Sequence, residues 1–230
     1  MGALIEVVDV HRTYIQGEIE VHALRGASVE IEPGEFTVLA GPSGSGKTTL
    51  LNMIGCLDAP TQGNVRVGTE NVTSLSLTEG AKFRLKHIGF VFQAYNLLPV
   101  LTAYENAEFI LMLQGKPESE RRKIVEPLML EVGLEGLFDR RPHQLSGGQQ
   151  QRVAVVRAIA SKPLVVLADE PTANLDSAAS GALLDVMLQL NQEHQVTFVF
   201  SSHDDLVMER ARRIVRLDSG EVVADERKET

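Results

Sequence analysis

The chain of 230 residues has one cysteine, Cys56, so no disulfide can form within it. Cys56 follows a glycine-rich loop on the same expected helix, and it reads as a small buried apolar residue rather than a reactive thiol. Grouped cations are missing too. Lys and Arg number 22 against 31 Asp and Glu, a formal charge of −9. Binding to a phosphate backbone needs clustered positive charge. The run RRKIV at Arg121 is too short to supply it and reads as a solvated helix face, so no nucleic-acid partner is expected. Long apolar runs are absent: LVVLA at Leu164 and FILML at Phe109 fall far short of the roughly 18 residues of a membrane span. The start, MGALIEVVDV, lacks the basic region, apolar run and cleavage site of a signal peptide. Glu6 stands where a myristoylation signal needs a hydroxyl. The expectation is a soluble, cytoplasmic chain that meets any membrane only through a partner.

What is present is a globular core. Apolar content is 43%, ordinary for a folded domain. Residues 4–10 and 20–31 read as strands, and Glu32-Pro33-Gly34-Glu35 as a turn. Residues 36–40 form a short apolar strand running into glycines. Residues 47–57 have helical spacing, with apolar side chains at 50, 51, 54 and 57. Strands are expected at 64–67 and 88–92. Residues 102–140 alternate apolar and charged positions at helical spacing, punctuated by Pro117 and Gly133, and predict an inserted helical region. Ser146 caps a helix to about Ala160. Residues 164–168 form a continuous apolar run, as in a parallel strand buried on both faces. A helix near 177–193 precedes a strand at 196–200 and a short helix, and strands at 213–217 and 221–224 close the chain. This alternation predicts an α/β fold with a mostly parallel sheet.

Three motifs carry chemistry. The first is Gly41-Pro42-Ser43-Gly44-Ser45-Gly46-Lys47-Thr48-Thr49, which matches G-x-x-x-x-G-K-[ST] between a strand and a helix. Its glycines let the backbone wrap an anion, and the N–H groups and helix dipole face the phosphates. Lys47 is expected on the β and γ phosphates and Thr48 on Mg²⁺. The second is the apolar strand ending in Asp169-Glu170. Asp169 is expected to hold Mg²⁺, directly or through water, and Glu170 to polarise an attacking water as general base. The third is Leu145-Ser146-Gly147-Gly148-Gln149, a capped helix mouth open to a phosphate. It lacks the lysine and hydroxyl of the first, so the chain has one complete nucleotide site and an orphan half.

Together, the phosphate loop, LSGGQ and LADEPTANLD resemble the ABC-type ATPases, the nucleotide-binding domains of ATP-binding-cassette proteins, over essentially the whole chain. The resemblance implies a P-loop NTPase core in one ATP-binding domain over residues 1–230. Residues 1–93 and 162–230 would be the α/β core with an N-terminal antiparallel β subdomain, and 94–161 a helical subdomain carrying LSGGQ. It implies ATP and Mg²⁺ as cofactors. It assigns Gln93 to the glutamine associated with Mg²⁺ and with coupling to the membrane subunit. Asp176 falls in the D-loop, His203 near the γ-phosphate as the switch histidine, and Tyr14 on adenine. It makes Ser146, Gly147, Gly148 and Gln149 the lid over nucleotide bound by a second copy, in a head-to-tail dimer.

The resemblance also implies a separate transmembrane permease docking near 94–114, which would keep the chain peripheral on the inner face of the membrane. Thr13 to Gly26, Phe92 to Asn106 and Asp169 to Asp176 are similar to the lipoprotein-releasing, macrolide-exporting and cell-division-associated group, whose members transmit motion across a membrane. The alternatives are a regulatory module signalling through a membrane partner, as in cell division, and a soluble ABC ATPase acting on DNA or ribosomes.

Overall fold

The computed structural model describes residues 2–17 and 19–228. Two sheets organise it. The first is antiparallel, in the order β2-β1-β4-β5, built from β1 (Ile5–Gln16), β2 (Ile19–Ile31), β4 (Gln62–Val67) and β5 (Glu70–Asn71). The second has the order β10-β9-β3-β8-β7-β6. In it β3 (Phe36–Ala40), β6 (Ile88–Phe92), β7 (Val165–Asp169), β8 (Thr197–Ser202) and β9 (Arg213–Asp218) run parallel, and β10 (Glu221–Arg227) returns antiparallel on β9. The helices are α1 (Lys47–Ile54), α2 (Leu77–His87), α3 (Ala103–Leu113), α4 (Glu118–Glu131), α5 (Gly147–Ile159), α6 (Ser177–His194) and α7 (Asp205–Arg210).

Alternation along the parallel strands builds the core on both faces of the second sheet. Phe36, Val38, Val166, Ala168, Phe198 and Phe200 point to one face, where α3 to α6 pack through Leu111, Met129, Val155 and Leu183. Phe36 and Phe200 lie with ring centroids 4.6 Å apart. Leu39, Leu167, Val199 and Val215 point to the other face, where α1 and the antiparallel sheet close over them through Leu50, Ile54, Ile5 and Val7. Thus α1, whose first turn carries Lys47 and Thr48, is pinned between two sheets.

Several boundaries differ from the sequence reading. β1 continues past residue 10 to Gln16 although its alternation breaks, because register shifts after Val7, Val10 and Arg12 keep it paired with β2. α1 stops at Ile54, with Gly55 as its C-cap and Cys56 in a left-handed conformation of φ 54°. Cys56 is therefore beyond the helix and half-buried, and burial pushes its thiol up to about 11. Helix α2 escaped notice. It is short and polar on most of its surface, with Gly80 its one fully buried residue and Leu77 exposed, although a capping box between Ser76 and Glu79 marks its start.

One buried ion-pair network ties the end of the chain to the sheet. Arg213, with a side chain 7% exposed, donates to Glu35 at 2.8 Å, to Asp225 at 2.6 Å and to the Glu30 carbonyl at 2.7 Å. Hydrogen bonding from Arg213 holds the Asp225 carboxyl below its usual range. Removing one partner of a buried pair strands the others. Arg213→Met should therefore lower stability by about 3 kcal/mol at neutral pH, read from the urea midpoint. Because the Asp225 pKa is depressed in the fold, its contribution is complete above the unfolded carboxylate pKa and is lost as pH falls through the folded value. The gap between wild type and variant should accordingly shrink on acidification.

Candidate functional site

The carboxyl ends of β3, β7 and β8 meet at one edge of the second sheet, and a cleft of about 540 Å³ opens there. It is lined by Tyr14, Val21, His22, Ala23, residues 43–49, Gln93, Glu170, Ala173 and His203. Gly46 is the N-cap of α1, with φ 101°, and no side chain caps the helix. The free N–H groups at this mouth therefore face the cleft. A Cβ on Gly46 would lie 2.7 Å from the Ala23 carbonyl, and one on Gly41 2.1 Å from that of Leu217, so neither position admits a side chain. Lys47 is buried, and its Nζ donates to the carbonyls of Gly41 at 2.7 Å and Pro42 at 2.9 Å. Gly41 and Pro42 thus hold the lysine rather than line the cleft.

The acidic residues follow from register. Asp169, the last residue of β7, pairs with Ser201 of β8. The Ser201 hydroxyl donates to Asp169 Oδ1, which also accepts from Thr48 Oγ1 at 3.0 Å. Two hard oxygens at that separation match neighbouring positions of a Mg²⁺ octahedron, whose bonds of about 2.1 Å place adjacent ligands about 3.0 Å apart. Glu170 leaves the strand with φ 45°, a strained conformation for a non-glycine residue. Its N–H donates to the Ser201 carbonyl at 3.0 Å, and its Oε1 lies 2.8 Å from His203 Nδ1. Gln93 ends beside Asn174, whose Nδ2 donates to the Gln93 carbonyl at 2.9 Å.

LSGGQ lies elsewhere. Ser146 and Gln149 form a capping box at the start of α5, with the Ser146 N–H donating to Gln149 Oε1 at 2.9 Å. Gly147 sits so close to Tyr95 that a Cβ would come within 2.7 Å of its hydroxyl. Asp176 caps α6, accepting from the Ala179 N–H at 2.8 Å. None of Ser146, Gly147, Gly148, Gln149 or Asp176 lines the cleft that contains Lys47.

The structure therefore brings together Tyr14, Ser43, Gly44, Ser45, Gly46, Lys47, Thr48, Thr49, Gln93, Glu170 and His203, with Asp169 joined through Thr48. Asn174 falls with Leu175 and Asp176 in the D-loop match, whereas Ser201, Ser202, Val21, His22 and Ala23 were not assigned roles from sequence. Ser201 is two residues before His203, but its bond to Asp169 depends on β7 lying beside β8, which no local pattern encodes.

This combination of phosphate loop, paired carboxylates, histidine and separate LSGGQ helix defines an ATP-binding cassette. The model of the ABC transporter family matches residues 24–173, and the chain belongs to that family of ATPases. Over 222 residues it is 44% identical to the lipoprotein-releasing system ATP-binding protein LolD of Anaeromyxobacter dehalogenans, covering 96% of this chain and 93% of that protein. It is 48% identical over 219 residues to the macrolide export ATP-binding/permease protein MacB of Syntrophobacter fumaroxidans. That match covers 94% of this chain but 31% of the relative, so the chain spans about a third of the macrolide export protein's length. A solved dimeric ATP-binding cassette in a post-hydrolysis state, bound to ADP and Pi, superposes with a TM-score of 0.89 at 41% identity, covering 98% of this chain and 99% of that one.

Ser201→Ala should leave Asp169 in place but less well oriented. Where Asp169 serves as a Mg²⁺ ligand, loss of such an outer partner costs roughly 10- to 100-fold in metal affinity or activity. The Mg²⁺ concentration for half-maximal ATP hydrolysis should rise by that order, measured by titrating Mg²⁺ at fixed ATP.

Proposed function

We propose that this chain is the ATP-hydrolysing motor of a membrane transporter, working as a head-to-tail pair that drives a separate permease of the lipoprotein-releasing or macrolide-export type. The observation that carries this reading is the division of the motifs. One cleft collects Lys47, Thr48, Gln93, Glu170 and His203, while the open mouth of α5 stands outside it. An anion-binding helix mouth that cannot reach its own nucleotide suits the nucleotide of a second copy. A two-fold pair makes two identical sites from such halves, and a similar cassette bound to ADP and Pi is dimeric, which supports pairing. Since each nucleotide would touch both subunits, ATP favours the closed pair and hydrolysis releases it.

Within one site we assign the roles that the family implies, and the geometry accommodates them. Free N–H groups of the loop and of α1 bind the phosphates, and Lys47 turns from the Gly41 and Pro42 carbonyls towards them. Thr48 and Asp169 would hold Mg²⁺, with Gln93 at the edge of its shell; the ion supplies charge neutralisation on the phosphate oxygens. Glu170 takes a proton from the attacking water, and His203, 2.8 Å from Glu170 Oε1, fixes the carboxylate and faces the γ-phosphate. Tyr14 and Val21 receive the base. The α/β core of 1–93 and 162–230 carries the nucleotide, and the helical part of 94–161 carries the lid.

The docking face for the permease is the surface around 94–114. Leu98, Val100, Met112 and Leu113 are exposed there. A second cleft of about 230 Å³ beside them is lined by Phe90, Phe92, Asn96, Phe109, Ile110 and Arg157. Arg157 donates to the carbonyls of Tyr95 and Asn96 and forms no salt bridge among the described residues, which suits an acidic side chain on the partner. No helix among the described residues is long and apolar enough to cross a membrane. The named relatives release lipoproteins or export macrolides, which favours transport over the cell-division and soluble readings.

Glu170→Gln should bind ATP normally, slow hydrolysis by roughly 10²–10⁴ and accumulate an ATP-bound dimer on size exclusion. An unchanged turnover rate would remove Glu170 from the role of base. Ser146→Arg should fill the mouth of α5 and abolish ATP-dependent dimerisation while leaving ATP affinity of the monomer within about twofold. Loss of monomer binding would mean that LSGGQ acts within its own chain.

A further inference from the structure

We propose that Arg12 and Asp58 are positioning residues for the nucleotide base, holding the Tyr14 ring as a fixed platform at one end of the cleft. The proposal rests on the reading of Tyr14 as the base-stacking residue. The Arg12 guanidinium lies over the Tyr14 ring, 4.6 Å from its centroid. One carboxylate holds both groups: Asp58 Oδ1 accepts from Arg12 at 2.6 Å, and Asp58 Oδ2 accepts from the Tyr14 hydroxyl at 2.7 Å. Tyr14 lines the cleft, and Arg12 and Asp58 do not. The guanidinium covers one face of the ring, leaving the opposite face for a base.

The arrangement does not look like incidental surface pairing. Arg12 and Asp58 are only 24% and 22% exposed in their side chains, so the pair is screened less than a solvated one. Arg12 Nε is buried with no partner among the described residues. Its guanidinium is held by the ring and by its bond to the Asp58 carboxylate. Asp58 is itself anchored, its N–H donating to the Asn52 carbonyl in the last turns of α1 at 3.3 Å and its Oδ1 accepting from the Ala59 N–H at 2.8 Å. Helix α1 therefore carries the phosphate-binding Lys47 at its start and, four residues past its end, the carboxylate that fixes the base platform. An unrestrained tyrosine would have to be immobilised when a base stacks on it, which weakens binding roughly 2- to 10-fold. The Arg12–Asp58 clamp places that cost in folding instead of in binding.

The test compares ATP with tripolyphosphate, which offers the phosphates without a base, by calorimetric titration of the full chain in the presence of Mg²⁺. Arg12→Met and Asp58→Asn should each weaken ATP binding about 3- to 10-fold and leave tripolyphosphate binding unchanged. Arg12→Lys, which keeps a cation over the ring without the planar fork, should restore part of the loss. Tyr14→Ala serves as the control for the underlying reading. If it leaves the preference for ATP over tripolyphosphate intact, the base-stacking role of Tyr14 fails. If Tyr14→Ala removes that preference while Arg12→Met and Asp58→Asn do not, the positioning proposal is overturned. Equal weakening of both ligands also overturns it, because the substitutions would then be acting on the phosphate loop.

Discussion

The parallel register of β3, β8 and β7 is the constraint on which the site depends. Ala40 at the end of β3 lies opposite Ser202, and Asp169 at the end of β7 lies opposite Ser201. Because the three strands run the same way, the phosphate loop, the two carboxylates and His203 all emerge at one edge. In an open α/β sheet this is the edge where ligands bind. A one-residue slip would turn Asp169 to the opposite face of the sheet and break its bonds to Thr48 and Ser201. The apolar alternation that fills both faces fixes the register, so the packing of Phe36, Phe198 and Phe200 is also what aligns the chemistry.

Much of this was legible in the chain alone, and the reasons differ by element. The phosphate loop announces itself because Gly41 and Gly46 meet backbone carbonyls too closely for any side chain. β7 reads clearly because a strand buried on both faces has no polar alternation to hide it. The start of α5 reads clearly because Ser146 and Gln149 satisfy each other's backbone groups. Helix α2 stayed hidden because it buries almost nothing, and capping alone is a weak mark. The end of α1 was misplaced because Leu57 continues the apolar spacing after Gly55 has already turned the chain. Ser201 and the Arg12–Asp58 pair were invisible for a common reason: each acts through a neighbour distant in sequence.

The cleft also shows how one strained residue is sustained. Glu170 has a positive φ, a conformation costing of order 1–3 kcal/mol. Its N–H bond to Ser201, the return bond from the Ala173 N–H to its carbonyl at 3.2 Å, and its contact with His203 all fix that turn. The strain separates the directions of two adjacent carboxylates. Asp169 stays with Thr48 at the sheet edge, and Glu170 swings towards His203.

Helix α5 touches the same loop twice. At its first residue, Gly147 packs against the Tyr95 hydroxyl. Near its last, Arg157 grips the carbonyls of Tyr95 and Asn96. A helix is stiff along its axis, so these two grips act as a tie rod between the loop after β6 and the LSGGQ mouth.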